Sequence, residues 1–220
     1  MQRRTFLGAG ALALLSACTD ERKTRSMGSV GTPLVSPVVS RHVVLDDVLA
    51  WRRSVRSFSD TRVDDAAVSR LLWAAQGVTA SWGGRTAPSA GALYPIELYA
   101  ADSDSLRRYV PELNGSIEVA REDRRARIAE ATGQEPPSTA PVLIVITGVI
   151  SRTATKYGDR AERYVLLEAG HACQNLLLEV TALGLAAVPI GAFSDDGVRD
   201  ALGVATDELP VYVVPVGHPA

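Results

Sequence analysis

The sequence predicts one domain of mixed α and β structure that starts near residue 42. Residues 141–150 are apolar at consecutive positions, which is typical of a central strand covered on both faces. Residues 160–183 carry apolar side chains at helical spacing and predict a long helix. Asn114-Gly115, set between two strand-like runs over 109–120, predicts a hairpin with a type I′ turn.

The remaining elements follow from local signals along the chain. Residues 46–51 predict a first helix. A second helix has Asp64 or Asp65 as its cap, ends at Gly77 and buries one stripe: Val68, Leu71, Leu72 and Ala75. Residues 95–101 predict a strand, and residues 122–132 an exposed helix stopped by Gly133 and a Pro136-Pro137 loop. Residues 210–216 predict the last strand.

The long helix over 160–183 is apolar around most of its circumference, which predicts burial and favours a homodimer interface. Its polar stripe is Glu168, His171, Asn175 and Glu179. Glu168 and His171 have the spacing of a di-iron motif, but the second pair that such a site needs is missing. We therefore expect no metal, and expect His171 to be hydrogen-bonded within the interface. Cys173, on the same helix, is expected to be a buried small hydrophobe.

The N-terminus predicts export. Arg3-Arg4 precede a short apolar run, and Leu15-Ser16-Ala17-Cys18 resembles a lipobox. The interpretation is a twin-arginine signal over 1–17, lipid on Cys18 and a disordered tether over 18–41. The protein would then be an exported, membrane-anchored lipoprotein on the outer side of the cytoplasmic membrane or in the periplasm. The alternative is a poorly ordered N-terminus with chance arginines.

A net charge of −2 gives no indication of nucleic-acid binding. The most informative segment is instead Pro88-Ser89-Ala90-Gly91-Ala92-Leu93-Tyr94-Pro95, which brings nearly bare backbone close to a ligand. One hypothesis is a serine hydrolase in which Ser89 is the nucleophile and Asp195, Asp196 and His218 supply its partners. A nucleophile elbow needs a buried strand before the serine and a helix after it, and neither is predicted. A cofactor-binding loop is the favoured interpretation.

Two further segments suit a phosphorylated cofactor. Arg52, Arg53, Ser54 and Arg56 lie within five positions, and Arg52, Ser54 and Arg56 could together grip a phosphate. A solvated basic patch is the alternative for these arginines. The second segment comprises Pro189, Ile190, Gly191 and Ala192, whose backbone could approach the edge of a ring.

These motifs, together with Gly170-His171-x-x-Gln174-Asn175-Leu176 on the long helix, resemble the nitroreductase superfamily. The Pro-Ser-Ala-Gly form with Tyr94-Pro95 is most similar to its SagB/ThcOx-type dehydrogenase branch, which includes azoline oxidases of peptide natural products. The resemblance runs from about residue 52 to residue 219. It implies an α+β fold with a mostly antiparallel sheet flanked by helices, in an intertwined homodimer.

The resemblance also implies an FMN-dependent enzyme acting on a small-molecule or peptide substrate. The arginine segment (Arg52, Arg53, Ser54 and Arg56) would hold the phosphate and ribityl chain, and Pro88, Ser89, Ala90 and Gly91 would reach the flavin from the partner subunit. Pro189, Ile190, Gly191 and Ala192 would lie near the flavin N5. Lys156 and Tyr157 would be the catalytic pair; the alternative is a loop lysine beside a packed tyrosine.

The chain departs from the family at Gly217-His218-Pro219-Ala220, where typical nitroreductases continue with basic residues. Arg52, Arg53 and Arg56, with His218, would have to supply that charge. Export would also separate the protein from NAD(P)H, so we expect a dehydrogenase that passes electrons to oxygen, a quinone or a membrane partner. A flavin-binding, non-catalytic interaction module tethered by lipid is the alternative function.

Overall fold

The computed structural model describes residues 30–33 and 43–220. The predicted signal peptide over 1–17, the lipidation site Cys18 and most of the tether over 18–41 lie outside the described residues. Within the described residues, no helix combines the length and the apolar character that a membrane crossing requires.

In the part of the chain that the structure describes, one seven-stranded antiparallel sheet has the strand order β1-β4-β3-β2-β5-β7-β6. The strands are β1 (Val30–Pro33), β2 (Ile96–Ala101), β3 (Leu106–Val110), β4 (Gly115–Ala120), β5 (Val142–Val149), β6 (Ala186–Ala187) and β7 (Glu208–Gly217). The predicted central strand is β5, which pairs with β2 on one side and β7 on the other. Its residues Val142 to Gly148 are all buried, as its unbroken apolar pattern predicts.

Helices cover both faces of the sheet. They are α1 (Leu45–Trp51), α2 (Asp65–Gln76), α3 (Arg125–Thr132), α4 (Glu135–Thr139), α5 (Ile150–Tyr157), α6 (Ala161–Ala182) and α7 (Asp195–Leu202). On one face α2 and α6 pack on Ile144 and Ile146 of β5; on the other face α3 and α7 pack on Leu143 and Val145. Successive residues of β5 thus enter opposite cores, as the alternation of a strand requires.

Helices α2 and α6 were predicted from local sequence patterns, and the structure confirms both. The Asp64 carboxylate caps α2 by accepting a hydrogen bond from Ala67 N at 2.6 Å. In α6, Val165, Ala169, Ala172 and Leu176 are fully buried and Cys173 is 4% exposed. Burial raises the pKa of the Cys173 thiol to about 12, so this cysteine is a core residue, as predicted.

Four local predictions need correction. The hairpin is closed by a 3-10 turn over Pro111–Leu113 and by Asn114 at φ 42°, while Gly115 already pairs with Val110; proline at the start of the turn favours this longer loop over a type I′ turn. Pro136 and Pro137 lie in α4 and not in a loop, because proline is tolerated in the first turn of a helix.

The other two corrections concern the tether and the long helix. Residues 30–33, inside the predicted tether, form β1, whose pairing covers the outer edge of β4. On α6, Glu168 belongs to the buried face and His171 to the exposed one, so the predicted polar stripe is divided between core and surface. Helices α5 and α7 are not among the predicted elements, although Ser194 caps α7 by accepting a hydrogen bond from Gly197 N and acidic residues fill its first turn.

Candidate functional site

The segment from Pro88 to Pro95, here called the cradle loop, has an unusual backbone. Gly91, Ala92 and Tyr94 have φ values of 64°, 54° and 46°. For residues with a Cβ this left-handed conformation costs about 1–2 kcal/mol each. Ser89 Oγ accepts a hydrogen bond from Tyr94 N at 2.8 Å and closes the loop. Strain of this kind persists only where surrounding contacts hold it, and it concentrates at ligand sites.

Helix α5 supplies those contacts from one face. Arg152 donates from Nη1 to the Tyr94 carbonyl at 2.5 Å and from Nη2 to Glu97 Oε1 at 2.7 Å. One turn later, Lys156 Nζ and Tyr157 Oη each lie 3.0 Å from the point where a Cβ on Gly91 would stand. The loop is therefore laid along α5, and the absence of a side chain at Gly91 makes room for the amine and the phenol.

Lys156 and Tyr157 present two proton-bearing groups beside the cradle loop. Lys156 is exposed and its Nζ lies 5.6 Å from the centroid of the Tyr157 ring. Tyr164 meets the Tyr157 ring edge-on, with centroids 4.8 Å apart and an interplanar angle of 73°. This contact fixes the ring of Tyr157 while its hydroxyl reaches Gly91.

The back of the cradle loop rests on Arg85. The Arg85 guanidinium lies 4.5 Å from the centroid of the Tyr94 ring, a cation–π distance. The same group donates a hydrogen bond from Nη1 to Gln76 Oε1 at 3.2 Å. It also pairs with Glu112 at 2.9 Å. Gln76 is fully buried, and its Nε2 has no hydrogen-bond partner among the described residues.

A buried carboxyl, Glu168 of α6, lies beneath the same loop. It is 3% exposed, and its Oε1 has no hydrogen-bond partner among the residues that the structure describes. Burial raises the pKa of Glu168 to about 7, and nearby Ser89, Arg85, Arg152 and Gln76 lower it only in part. The carboxyl therefore changes charge near neutral pH.

The arginine segment after α1 forms a second group of residues. Val55 N donates to the Ala187 carbonyl at 3.0 Å, which ties the segment to β6. Arg53 Nη1 donates to the carbonyls of Ala50 and Arg52, at 2.9 and 2.7 Å. Arg52 and Arg56 make no ion pair or hydrogen bond through their side chains with the described residues, and Ser54 is exposed. Two cations are thus available to an anion.

The segment Pro189–Ala192 follows β6 and adjoins that group. Ile190 exchanges two backbone hydrogen bonds with Val213 of β7, both 2.9 Å, while Gly191 and Ala192 are exposed. The Ala192 carbonyl accepts from Gln134 Nε2 at 3.0 Å. The backbone of this segment is therefore fixed at its buried residue and accessible immediately beyond it.

The C-terminal residues run beside the arginine segment. Ser59 N donates to the His218 carbonyl at 2.9 Å, and Phe58 bridges to Pro219. These contacts place His218 close to the arginines in the fold, although its backbone and not its imidazole makes the contact.

The predicted site residues therefore fall into two groups within one chain. Pro88 to Gly91 belong to the cradle loop, whose Gly91 meets Lys156 and Tyr157, whereas the arginine segment meets Ala187 and leads to Pro189–Ala192. Among the described residues, no hydrogen bond joins the first group to the second. One group offers cations that have no anionic partner within residues 30–33 and 43–220, and the other offers a strained loop with two proton-bearing side chains.

The hydrolase hypothesis lacks its geometry. A single 3-10 turn, Ala90–Ala92, and not an α-helix follows Ser89. Ser89 Oγ is bonded to Tyr94 N, the His218 carbonyl is bonded to Ser59, and Asp195 and Asp196 start α7. Within the described residues these side chains form no triad.

Sequence reasoning missed four residues of this region: Gln76, Arg85, Arg152 and the structural role of Glu168. Arg152 and Lys156 are four positions apart, which places them on one helix face, but this spacing is informative only once α5 is known to be a helix. Glu168 could have been noticed as a carboxyl flanked by apolar positions of a buried helix.

Comparisons with known proteins agree with this fold. A sequence model of the nitroreductase family matches residues 49–218. A candidate nitroreductase of Methanocaldococcus jannaschii is 38% identical over 183 residues, which cover 80% of this chain and 91% of that protein. A candidate NADH dehydrogenase/NAD(P)H nitroreductase of Streptomyces coelicolor is 27% identical over 190 residues, covering 76% of this chain and 79% of that protein.

Solved structures show the same architecture. The crystal structure of a candidate nitroreductase from Ralstonia eutropha has a TM-score of 0.79 and 29% identity, covering 86% of this chain and 89% of that one. Together with the antiparallel sheet and its flanking helices, this likeness confirms the predicted nitroreductase-like α+β fold.

Proposed function

Because the chain belongs to the nitroreductase family, we propose that it is an FMN-dependent oxidoreductase of the SagB/ThcOx type. Bound FMN would supply the hydride chemistry, accepting a hydride from an organic substrate in the dehydrogenase direction. The observation that carries the proposal is the cradle loop: Gly91 lies against Lys156 Nζ and Tyr157 Oη, so a surface without a side chain adjoins two proton-bearing groups.

The arginine segment fits the phosphate end of FMN. Arg52 and Arg56 have no anionic partner among the described residues, and Ser54 between them adds a hydroxyl. A guanidinium binds phosphate through charge-assisted, often bidentate hydrogen bonds. Arg53 would contribute its charge while its Nη1 stays on the backbone carbonyls of α1.

The two small-residue segments fit a flat ring. At Gly91 and Gly191 a ligand can contact backbone directly, and both residues are exposed. Pro88, Ser89 and Ala90 lead into the first of these positions, and Pro189, Ile190 and Ala192 flank the second. The hydrogen bonds of Ile190 to Val213 hold the second segment rigid.

A homodimer would bring the two groups together. A symmetric interface makes each contact twice, so the arginine segment of one protomer can face the cradle loop of the other. Large apolar side chains remain exposed on α1, just before it and on α6, and suit such an interface: Val44, Leu45, Leu49, Trp51, Leu166 and Leu167.

Lys156 and Tyr157 would handle the proton that leaves the substrate with the hydride. Either Lys156 Nζ or Tyr157 Oη can take a proton when it is deprotonated, and both lie at the cradle loop. The edge-on contact with Tyr164 keeps the Tyr157 ring in place for this role.

The proposal includes export as a lipoprotein, with the Arg3-Arg4 signal and lipid on Cys18. The substrate would be a small molecule or peptide, and the electrons would pass to oxygen, a quinone or a membrane partner. The name of the Streptomyces coelicolor relative includes NAD(P)H, so NADH is the donor to test against this expectation.

The test is FMN binding by the purified full chain. We expect a visible flavin spectrum, or uptake of one FMN per chain. In Arg52→Ala and Arg56→Ala, the dissociation constant should rise by about 10- to 100-fold, because each loses a charge-assisted contact of about 1.5–3 kcal/mol. Arg127→Ala, an exposed arginine on α3, is the matched control and should bind as the wild type does. Protein that stays colourless and takes up no FMN would refute the proposal.

A further inference from the structure

The cradle loop has a buried acid behind it that the proposed chemistry does not use. Glu168 comes from α6 and lies near Ser89 of this loop, and its Oε1 is buried without a hydrogen-bond partner among the described residues. Gln76 Nε2, from α2, is buried and unpartnered as well. Gln76 is also among the hydrogen-bonding groups that lower the pKa of Glu168, so the amide and the carboxyl lie beside each other without a fully formed hydrogen bond. Such a pair is unusual, because buried polar atoms are nearly always paired.

Ser89 is the residue through which this acid can act on the loop. Its hydroxyl has one proton to donate and two lone pairs, of which Tyr94 N already occupies one at 2.8 Å. Glu168 lies close enough for Ser89 to lower its pKa. The direction of the remaining Ser89 bond then depends on the charge of the carboxyl.

We propose that Glu168 is a positioning residue that sets the direction of the Ser89 hydroxyl proton, and through it the affinity of the cradle loop for FMN. A protonated Glu168 donates its O–H to the second lone pair of Ser89, which leaves the Ser89 proton free to point out of the loop toward the ligand. An ionised Glu168 can only accept a hydrogen bond, so the Ser89 proton turns inward toward the carboxylate. The hydroxyl then no longer donates a hydrogen bond to the ligand. This inference rests on the proposed function.

The charged surroundings allow both states near neutral pH. Arg85 and Arg152 favour the ionised form, but each is already engaged, with Glu112 and Glu97 respectively. Burial opposes ionisation and is the larger effect. The other titratable groups on α6 itself are Glu162, Arg163, Tyr164, His171, Cys173 and Glu179. The elements packed against α6 and the loop before β2 carry the following further charged or titratable groups: Asp46, Asp47, Asp65, Arg70, Arg85, Tyr94, Glu97, Tyr99, Arg152, Lys156, Tyr157, Asp159, Arg160, Glu208 and Tyr212.

The experiment compares the full-length wild type, Glu168→Gln and Ser89→Ala by FMN fluorescence quenching at about pH 5.5 and about pH 8.5, on either side of the Glu168 transition. Glutamine keeps a donor toward Ser89 at every pH. The wild type and Glu168→Gln should bind alike at the lower pH. At the higher pH the wild type should bind FMN about fivefold more weakly than Glu168→Gln does, which is the ratio expected for the loss of one neutral hydrogen bond. The titration of FMN's own phosphate cancels in this comparison.

Ser89→Ala separates positioning from simple repulsion between Glu168 and the anionic ligand. If the hydroxyl carries the effect, the extra pH dependence of the wild type disappears in Ser89→Ala. If it persists there, charge repulsion is the cause and the inference is overturned. Equal pH dependence in the wild type and Glu168→Gln also overturns it. Glu130→Gln, an exposed glutamate on α3, is the control for loss of one carboxylate.

A measurement without ligand distinguishes this inference from the proposed function. Because the pKa of Glu168 is raised on folding, its ionisation disfavours the folded state as pH rises from about 4.5 through about 7. Glu168→Gln lacks this effect, so its urea midpoint should rise relative to the wild type over that range. Failure of FMN binding with this shift present refutes the proposed function alone. Absence of the shift refutes the role of Glu168.

Discussion

Gly91→Ala probes the contact on which the proposed site depends. The substitution places a Cβ 3.0 Å from both Lys156 Nζ and Tyr157 Oη, closer than the ordinary contact range of 3.4–4 Å. Both groups must retreat by a few tenths of an ångström. Because a misplacement of about 1 Å can lower a rate by about 100-fold, we expect the reaction rate of Gly91→Ala to be about 3- to 10-fold lower than that of the wild type.

Stability provides the internal control, because Gly133→Ala imposes the same backbone change elsewhere. Gly133 caps α3 at φ 59°, close to the 64° of Gly91, and nothing lies within 4 Å of its Cβ position. Alanine in the left-handed region costs about 1–2 kcal/mol at either position. Both variants should therefore melt about 2–8 °C below the wild type.

The assay follows reoxidation of the photoreduced flavoprotein by menadione under anaerobic conditions, with melting temperatures measured on the same samples. Gly133→Ala should react at the wild-type rate and Gly91→Ala more slowly. Equal rates in the two variants would show that the amine and phenol at Gly91 play no part in quinone reduction. A much lower melting temperature for Gly91→Ala alone would show that the glycine serves the fold.

Two further predictions concern the core and the dimer. In Gly148→Ala the new Cβ would stand 2.2 Å from Val165 Cγ1, so the free energy of unfolding measured in urea should fall by about 1–3 kcal/mol. Adding Val165→Ala should recover part of this loss. An unchanged urea midpoint would contradict the packing of α6 on β5. The second prediction is that each site combines two protomers. Mixing inactive Arg52→Ala/Arg56→Ala with inactive Lys156→Ala/Tyr157→Phe should then restore about one quarter of the wild-type rate with menadione, because half of the dimers are mixed and each mixed dimer has one intact site out of two. No recovery after confirmed subunit exchange would place the whole site in one chain.

The sequence was sufficient for the parts of the fold that local patterns decide. The unbroken apolar run of β5 and the helical spacing of α6 identified the sheet and its main helix. The Asp64 cap was identified because a side chain that bonds a backbone amide three residues away needs no tertiary partner. The same local reasoning failed at Asn114-Gly115, where the preceding proline selected a different turn.

The candidate site was predictable in residue identity but not in geometry. The small residues of the cradle loop indicated close backbone approach, and the structure adds that Ala92 and Tyr94, not only Gly91, have positive φ. That conformation depends on Arg152, which bonds the Tyr94 carbonyl from 58 positions along the chain. Glu168 was assigned to a polar stripe because periodicity alone does not distinguish a buried acid from a solvated one.

The division of the site explains why neither group signals its function alone. Arg52 and Arg56 without an anion resemble a solvated basic patch, and Lys156 beside Tyr157 resembles an ordinary helix end. The function of each group can be inferred only from the residues or ligand that it faces. If that surface belongs to a second protomer, flavin binding and dimerisation are linked: a ligand that contacts both protomers must stabilise their association by as much as association strengthens its binding. Substitutions on the exposed apolar surface of α1 would then weaken FMN binding without touching the ligand.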